Sequence, residues 1–184
     1  YHTPLGHAFP GYRLAETAAR LGIPNATHNN TRGYVTRLLE RELVRAAAGI
    51  AEGDDAALEA LLASREPKKL NRVINLETGS VACEAGIKMM LARFYRPDGT
   101  CAALKYAGRT PVFLVMADSE GRSEANYHGT SVVAQTLRGM WPELYQKIEE
   151  AELYRVEPVR INDIGDFREK LARCNTGKYK TAGF

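Results

Sequence analysis

The sequence of 184 residues contains only three cysteines, and no two of them have the C-x-x-C spacing of a metal or redox motif. Cys83, Cys101 and Cys174 are too few and too far apart to form a disulfide framework. The four histidines are scattered as well, so the sequence predicts no metal site. Such a cysteine pattern is typical of a reducing compartment, and we expect a cytoplasmic protein.

Concentrated charge and long apolar runs are also missing. The formal net charge is +3, from 25 basic and 22 acidic side chains that are mixed along the chain. Nucleic-acid-binding proteins usually show a basic stripe with interleaved aromatic residues, which this chain lacks. No apolar run approaches the length that spans a bilayer, and no signal peptide is visible. We therefore expect neither a nucleic acid nor a membrane as a partner.

Helix and strand patterns alternate along the sequence. Apolar residues at helical spacing predict helices, and short apolar runs between turn residues predict strands. The run 111–116 is continuously apolar, as in a strand that is buried on both faces. This alternation predicts an α/β fold with a mostly parallel sheet flanked by helices. The predicted helices are 12–21, 34–50, 54–64, 80–95, 130–138, 142–152 and 164–174, and the predicted strands are 72–76, 111–116, 153–159 and one that begins at 181.

The first candidate site is the predicted strand-to-helix junction Thr78-Gly79-Ser80. Backbone N–H groups at a helix start have no acceptor within the helix, and together with the helix dipole they attract anions. Gly79 lets the backbone approach a phosphate, and Ser80 can cap the helix or donate its hydroxyl. The familiar nucleotide loops, Gly-x-Gly-x-x-Gly and Gly-Lys-Thr, are absent. Taken alone, a simple helix cap is the more common explanation of such a turn.

The second candidate site is the segment 126–131, which contains Tyr127, His128 and Gly129 at another predicted strand-to-helix transition. An aromatic ring at the carboxyl end of a parallel strand can cover a flat ligand ring. Packing of Tyr127 at the sheet edge is an equally good explanation. For His128, a hydrogen-bonded structural role is somewhat better supported than that of a catalytic base.

Together with a third stretch, these two motifs resemble the class III aminotransferases, a family of fold-type I pyridoxal-phosphate-dependent enzymes. Residues 5–10 (Leu-Gly-His-Ala-Phe-Pro) are similar to the family's Gly-His-x-His-Pro signature, with Phe9 in place of the second His. Residues 78–88 are similar to the run that opens the family's phosphate-binding helix, although Val81 replaces the usual Glu. Tyr127-His128-Gly129 matches the family's aromatic-His-Gly element.

The resemblance implies a binding site for pyridoxal 5'-phosphate. The backbone amides of Gly79 and Ser80 would hold the cofactor phosphate, with Val81 adjacent to them. Tyr127 would stack on the face of the pyridine ring, and His128 follows it in the same element. In such enzymes the cofactor withdraws electrons from the substrate, and the protein supplies orientation and electrostatics.

The resemblance also implies that essential parts lie outside this chain. The family's Schiff-base lysine and the aspartate that pairs with the pyridine nitrogen are expected beyond Phe184, so we expect no catalytic residue in this chain and an inactive fragment of a longer enzyme. Glu84 is expected to form structural hydrogen bonds, and Lys88 to lie on the surface or to support residues that bind the cofactor. No later lysine follows a strand with a suitable aspartate; these lysines are Lys147, Lys170, Lys178 and Lys180.

Two parts of the parent enzyme are implied. Residues 1–66 would form an N-terminal segment of loop and helices, part of a small domain and of the dimer-contact region, and residues 67–184 an incomplete cofactor-binding large domain. The parent would be a homodimer that transfers an amino group between an amine or amino acid and a keto acid. The alternatives are an aminomutase, racemase or decarboxylase on the same scaffold, or a non-catalytic phosphate-binding α/β module.

Overall fold

A computed structural model describes residues 10–22, 34–66, 68–76, 78–100, 103–118 and 129–184. The chain divides into two compact units, an N-terminal unit of residues 1–77 and a C-terminal unit of residues 78–184. All seven predicted helices are confirmed to within a few residues at their ends. The elements are α1 (Tyr12–Arg20), α2 (Tyr34–Ala48), α3 (Asp55–Ala63), α4 (Gly79–Leu91), β1 (Thr110–Ala117), α5 (Val132–Thr136), α6 (Pro142–Glu150), β2 (Arg155–Arg160), α7 (Ile164–Arg173) and β3 (Tyr179–Gly183).

In the N-terminal unit, the side chain of Arg45 ties the end of α2 to the start of α3. Its guanidinium donates to the carboxylate of Glu42 (3.0 Å), to the carbonyl of Ala51 (2.9 Å) and to the carboxylate of Asp55 (2.6 Å). Leu58 of α3 is completely buried. A single planar side chain with several donors can therefore hold the turn between the two helices in one conformation.

The segment 72–76 is not a strand, contrary to the sequence prediction. Ile74 is 58% exposed. Asn71, just before the segment, is bound to the end of α3, because its side-chain amide donates to the carbonyls of Leu61 (3.1 Å) and Ser64 (2.7 Å). A strand needs a neighbouring strand for its backbone hydrogen bonds. No strand occurs in the described part of the N-terminal unit, so the segment has no such neighbour.

The C-terminal unit contains a three-stranded parallel sheet in the order β2-β1-β3, flanked by helices. The predicted parallel α/β arrangement is confirmed at this level. In the central strand β1, Val112 is paired with Arg155 of β2 and with Thr181 of β3. Every residue of β1 is buried except the half-buried Met116. The continuous apolar run thus marks a strand that is covered on both faces, as predicted.

Alternate residues of β1 point to opposite faces of the sheet and contribute to two separate cores. Phe113 and Val115 belong to one core, which is formed with α4, α5 and the ring of Tyr154. Val112 and Leu114 belong to the other. This second core also contains Val159 and Cys174, against which Phe167, Leu171 and Tyr179 pack.

The outer edge of β2 is covered by side chains of α6 and α7. Along β2, every second residue directs its backbone N–H and C=O groups toward β1. The backbone groups of the residues between them point away from β1; these are residues 156, 158 and 160. Three hydrogen bonds use these groups: the Val156 amide donates to the Tyr145 hydroxyl (2.8 Å), the Pro158 carbonyl accepts from the Lys170 ammonium (2.5 Å), and the Arg160 amide donates to the Asp166 carboxylate (2.9 Å).

Asp166 is the one acidic side chain among the buried residues of the described chain, with 6% of its surface exposed. The hydrogen bond from Lys170 (2.9 Å) and then that from the Arg160 amide lower the pKa of Asp166 below its ordinary value. A carboxyl whose folded pKa is depressed stabilises the fold above its unfolded pKa of about 4. This stabilisation is lost as the pH falls through the lower, folded pKa.

We therefore expect Asp166→Asn to lower the free energy of unfolding at neutral pH. Urea denaturation of the two proteins should give a difference that is constant above about pH 5 and shrinks steadily below about pH 4. Glu169→Gln, at an exposed position of the same helix, is the control and should change little at any pH. A difference between Asp166→Asn and the wild type that persists unchanged into strong acid would contradict the assigned role of the carboxylate.

Among the described residues, no helix combines the length and the apolar character that crossing a membrane requires.

Candidate functional site

The helix α4 begins at Gly79, with Thr78 as its N-cap. The Thr78 hydroxyl accepts a hydrogen bond from the Val81 amide (3.2 Å), and the Thr78 carbonyl accepts one from the Ala82 amide (2.9 Å). The amide of Val81 is therefore already used by the cap. The amides of Gly79 and Ser80 have no acceptor within the helix, and the described residues bind neither of them. At the positive end of α4, these two donors thus have no partner among the described residues.

The space in front of Gly79 is open. Apart from its chain neighbours and the backbone of its own helix, no atom of the described residues would lie within 4 Å of a Cβ built on Gly79, and the residue itself is exposed. The half-buried Ser80 follows it in the first turn. Among the described residues, the surroundings of Gly79 therefore leave room for an anion at the start of α4.

Gly129, the last residue of the second motif, lies directly against Ser80. The backbone φ of Gly129 is +89°, in the left-handed region that favours glycine. A Cβ atom added here would lie 2.7 Å from the Ser80 Cα and 2.9 Å from both its Cβ and its Oγ. Gly129 is far from α4 in the sequence but therefore lies at the start of this helix. Tyr127 and His128 lie outside the described residues.

A hydrogen bond joins the same two regions one turn further along α4. The hydroxyl of Ser131 donates to the carboxylate of Glu84 (2.6 Å). The same hydroxyl accepts a hydrogen bond from the Ala134 amide (3.3 Å) and so caps α5. Lys88, whose side chain is 73% exposed, lies 3.9 Å from Glu84. These contacts agree with the structural role expected of Glu84 and the surface position expected of Lys88.

The four lysines that follow the second motif all have partners within the C-terminal unit. Lys147 pairs with Glu143, Lys170 with Asp166, Lys178 with Glu152, and the ammonium of Lys180 lies 5.6 Å from the centre of the Tyr106 ring. None of these partners is a residue of α4. The described chain also contains no group of three or more His, Cys, Asp or Glu side chains that could hold a metal ion.

An apolar cavity of about 220 Å³ between α4 and the sheet was not predicted from the sequence. It is lined by Cys83, Gly86 and Met90 on the helix side and by Phe113 and Gly183 on the sheet side. Its walls offer almost no polar group, so it does not suit a phosphate. The small residue Gly86 was the one sequence signal for open space at this position.

The residues at the start of α4 form an open, positively polarised helix end that is held against a glycine of a second, distant motif. Comparison of the chain with protein-family models, with curated proteins and with solved structures found no match.

Proposed function

We propose that the C-terminal unit binds pyridoxal 5'-phosphate at the start of α4, as the cofactor-binding part of an aminotransferase. The observation that carries this proposal is the contact of Gly129 with Ser80, since a Cβ on Gly129 would lie 2.7 Å from the Ser80 Cα. This contact supports the proposal because it holds Gly129, the residue that follows Tyr127 and His128 in the chain, against the phosphate-binding candidate. A cofactor with a phosphate and a flat ring needs binding groups for both parts.

Each motif has a separate binding role in this proposal. The free amides of Gly79 and Ser80 donate to the phosphate, and the dipole of α4 favours its negative charge. Tyr127 covers the ring and His128 lies beside it, since both directly precede Gly129 in the chain. When bound, the cofactor supplies an electron sink for the substrate Cα. The residues of this chain bind and orient it.

The parent protein is proposed to be a cytoplasmic homodimer of the fold-type I class. It would transfer an amino group between an amine or amino acid and a keto acid. The lysine that binds the cofactor covalently would come from another part of the parent. An aminomutase, a racemase or a decarboxylase would use the same cofactor-binding residues, because the fold does not choose among these reactions.

A non-catalytic α/β module is the second candidate function. The observation that favours it is the hydrogen bond between the Thr78 hydroxyl and the Val81 amide, which makes the start of α4 an ordinary capped helix. The two candidates differ in one measurable property, which is saturable binding of the cofactor at this helix end.

The sharpest test uses pyridoxine 5'-phosphate, which has the ring and phosphate of the cofactor but no aldehyde to react with surface lysines. Isothermal titration should show saturable binding to the wild-type chain and binding at least about tenfold weaker for pyridoxine without phosphate. Gly79→Asp should weaken the binding of the phosphorylated ligand by about tenfold or more, because the new carboxylate repels the phosphate at the amides of α4.

The matched control is Gly177→Asp, which adds the same charge at an exposed glycine with no atom within 4 Å of the added Cβ. This variant should bind like the wild type. Absence of saturable binding to the wild-type chain would overturn the proposal and favour the non-catalytic module. Equal losses in the two variants would show that the ligand does not bind at the start of α4.

A further inference from the structure

We infer that Glu84 and Ser131 form a positioning pair that fixes the segment entering α5 against the start of α4. Neither residue touches the cofactor in the proposed site. Their effect on the cofactor rests on the proposed function, whereas their effect on the segment 129–134 is a property of the protein without ligand.

The pair completes a two-point attachment between the motifs. Ser80 and Glu84 are four residues apart in α4, so both lie on the same face of the helix. Gly129 packs on Ser80, and Ser131 donates to Glu84 (2.6 Å). One point of contact sets a distance, but two points also set the direction in which the segment crosses α4.

The hydroxyl of Ser131 couples this attachment to the start of α5. A serine hydroxyl has one proton and two acceptor lone pairs. Its O–H donates a hydrogen bond to Glu84, and one lone pair accepts a hydrogen bond from the Ala134 amide (3.3 Å). The cap of α5 and the link to α4 therefore depend on the same atom. Loss of Glu84 leaves the cap in place but removes the link.

The ion pair of Glu84 with Lys88 does not explain the position of Glu84. The two charged groups are 3.9 Å apart, and the Lys88 side chain is 73% exposed, whereas that of Glu84 is 26% exposed. Exposed pairs at this spacing contribute little to stability. The short hydrogen bond from Ser131 to a carboxylate is the stronger interaction, because one partner is charged.

Hydrogen exchange of the ligand-free chain tests the structural half of the inference. In Glu84→Ala, the amides of residues 129–134 should exchange about tenfold faster than in the wild type. Glu84→Gln keeps an acceptor for the Ser131 proton and should restore slow exchange. Lys88→Ala removes the weak ion pair alone and should leave exchange unchanged. Ser131→Asp keeps a capping oxygen for α5 but cannot donate to Glu84, and it should behave like Glu84→Ala.

Binding measurements test the consequence for the site. Glu84→Ala should weaken the binding of pyridoxine 5'-phosphate about tenfold but leave the binding of inorganic phosphate unchanged, since phosphate alone needs only the amides of α4.

Unchanged hydrogen exchange in both Glu84→Ala and Ser131→Asp would overturn the inference, as would equal losses of affinity for the two ligands. If the wild type binds neither ligand, the proposed function fails and the exchange data alone decide whether the pair exists. If Glu84→Ala does not fold, Ser131→Asp and Glu84→Gln provide the same comparison.

Discussion

Replacing Gly129 by alanine should lower the free energy of unfolding of the C-terminal unit by about 2 to 5 kcal/mol. Two costs combine at this position. The left-handed φ of +89° costs a residue with a Cβ about 1 to 2 kcal/mol. The added Cβ would also lie 2.7 Å from the Cα of Ser80, and a backbone atom of a helix cannot rotate away as a flexible side chain can.

Gly108→Ala separates these two costs. Gly108 also has a left-handed φ, +72°, but a Cβ added there meets no atom within 4 Å. Its substitution should therefore lower the free energy of unfolding by only about 1 to 2 kcal/mol. Urea denaturation followed by circular dichroism measures both values. If the two variants lose equal stability, the close approach of Gly129 to α4 does not occur in solution.

Replacing Leu114 by alanine should lower the free energy of unfolding by about 3 kcal/mol, the middle of the range for a buried leucine. Leu114 is only 2% exposed at the centre of β1, in the core shared with Val159 and Cys174. Removing its side chain leaves a cavity beneath α7, and the strand cannot close this cavity because it is hydrogen-bonded on both sides.

Leu153→Ala is the control for the Leu114 substitution, because Leu153 is 48% exposed. We expect this change to cost less than about 1 kcal/mol. Chemical denaturation of both variants, with the same slope against urea concentration, makes the comparison valid. A small loss in Leu114→Ala would mean that α7 does not cover this face of the sheet.

The sequence was most informative where a local pattern has one common structural cause. The apolar run 111–116 predicted a strand buried on both faces, and β1 is central in the sheet with helices on both sides. Two predicted helix ends also have local causes in the structure. Gly22 follows α1 with a left-handed φ of +70°, and the Asp54 carboxylate accepts a hydrogen bond from the Ala57 amide in the first turn of α3.

The failure at 72–76 has a physical reason. Val73 and Ile74 have the β-branched, apolar character of a strand, but a strand also needs a neighbour for its backbone hydrogen bonds. Whether such a neighbour is present depends on contacts distant in the sequence. Instead, the hydrogen bonds from Asn71 to the carbonyls of Leu61 and Ser64 hold the start of this region at the end of α3.

Only the local part of the candidate site was predictable from the sequence, because contacts between distant residues leave no local pattern. Gly79 and Ser80 were recognised as a helix start from local sequence, and α4 begins there. The hydrogen bond from the Val81 amide to the Thr78 hydroxyl follows from capping rules, but it was not predicted from the sequence. The approach of Gly129 to Ser80 could not be derived from the residues alone, because spacing along the chain does not give the direction in which a loop returns.

The hydrogen bonds along the outer side of β2 affect how the protein meets other chains. A free strand edge can template the addition of a foreign strand, which is one route to aggregation. On β2, three of the backbone groups that point away from β1 are already bound by Tyr145, Lys170 and Asp166, and Pro158 has no N–H to offer. An incoming strand would have to break three bonds before forming its own, so this side of the sheet resists edge-to-edge polymerisation.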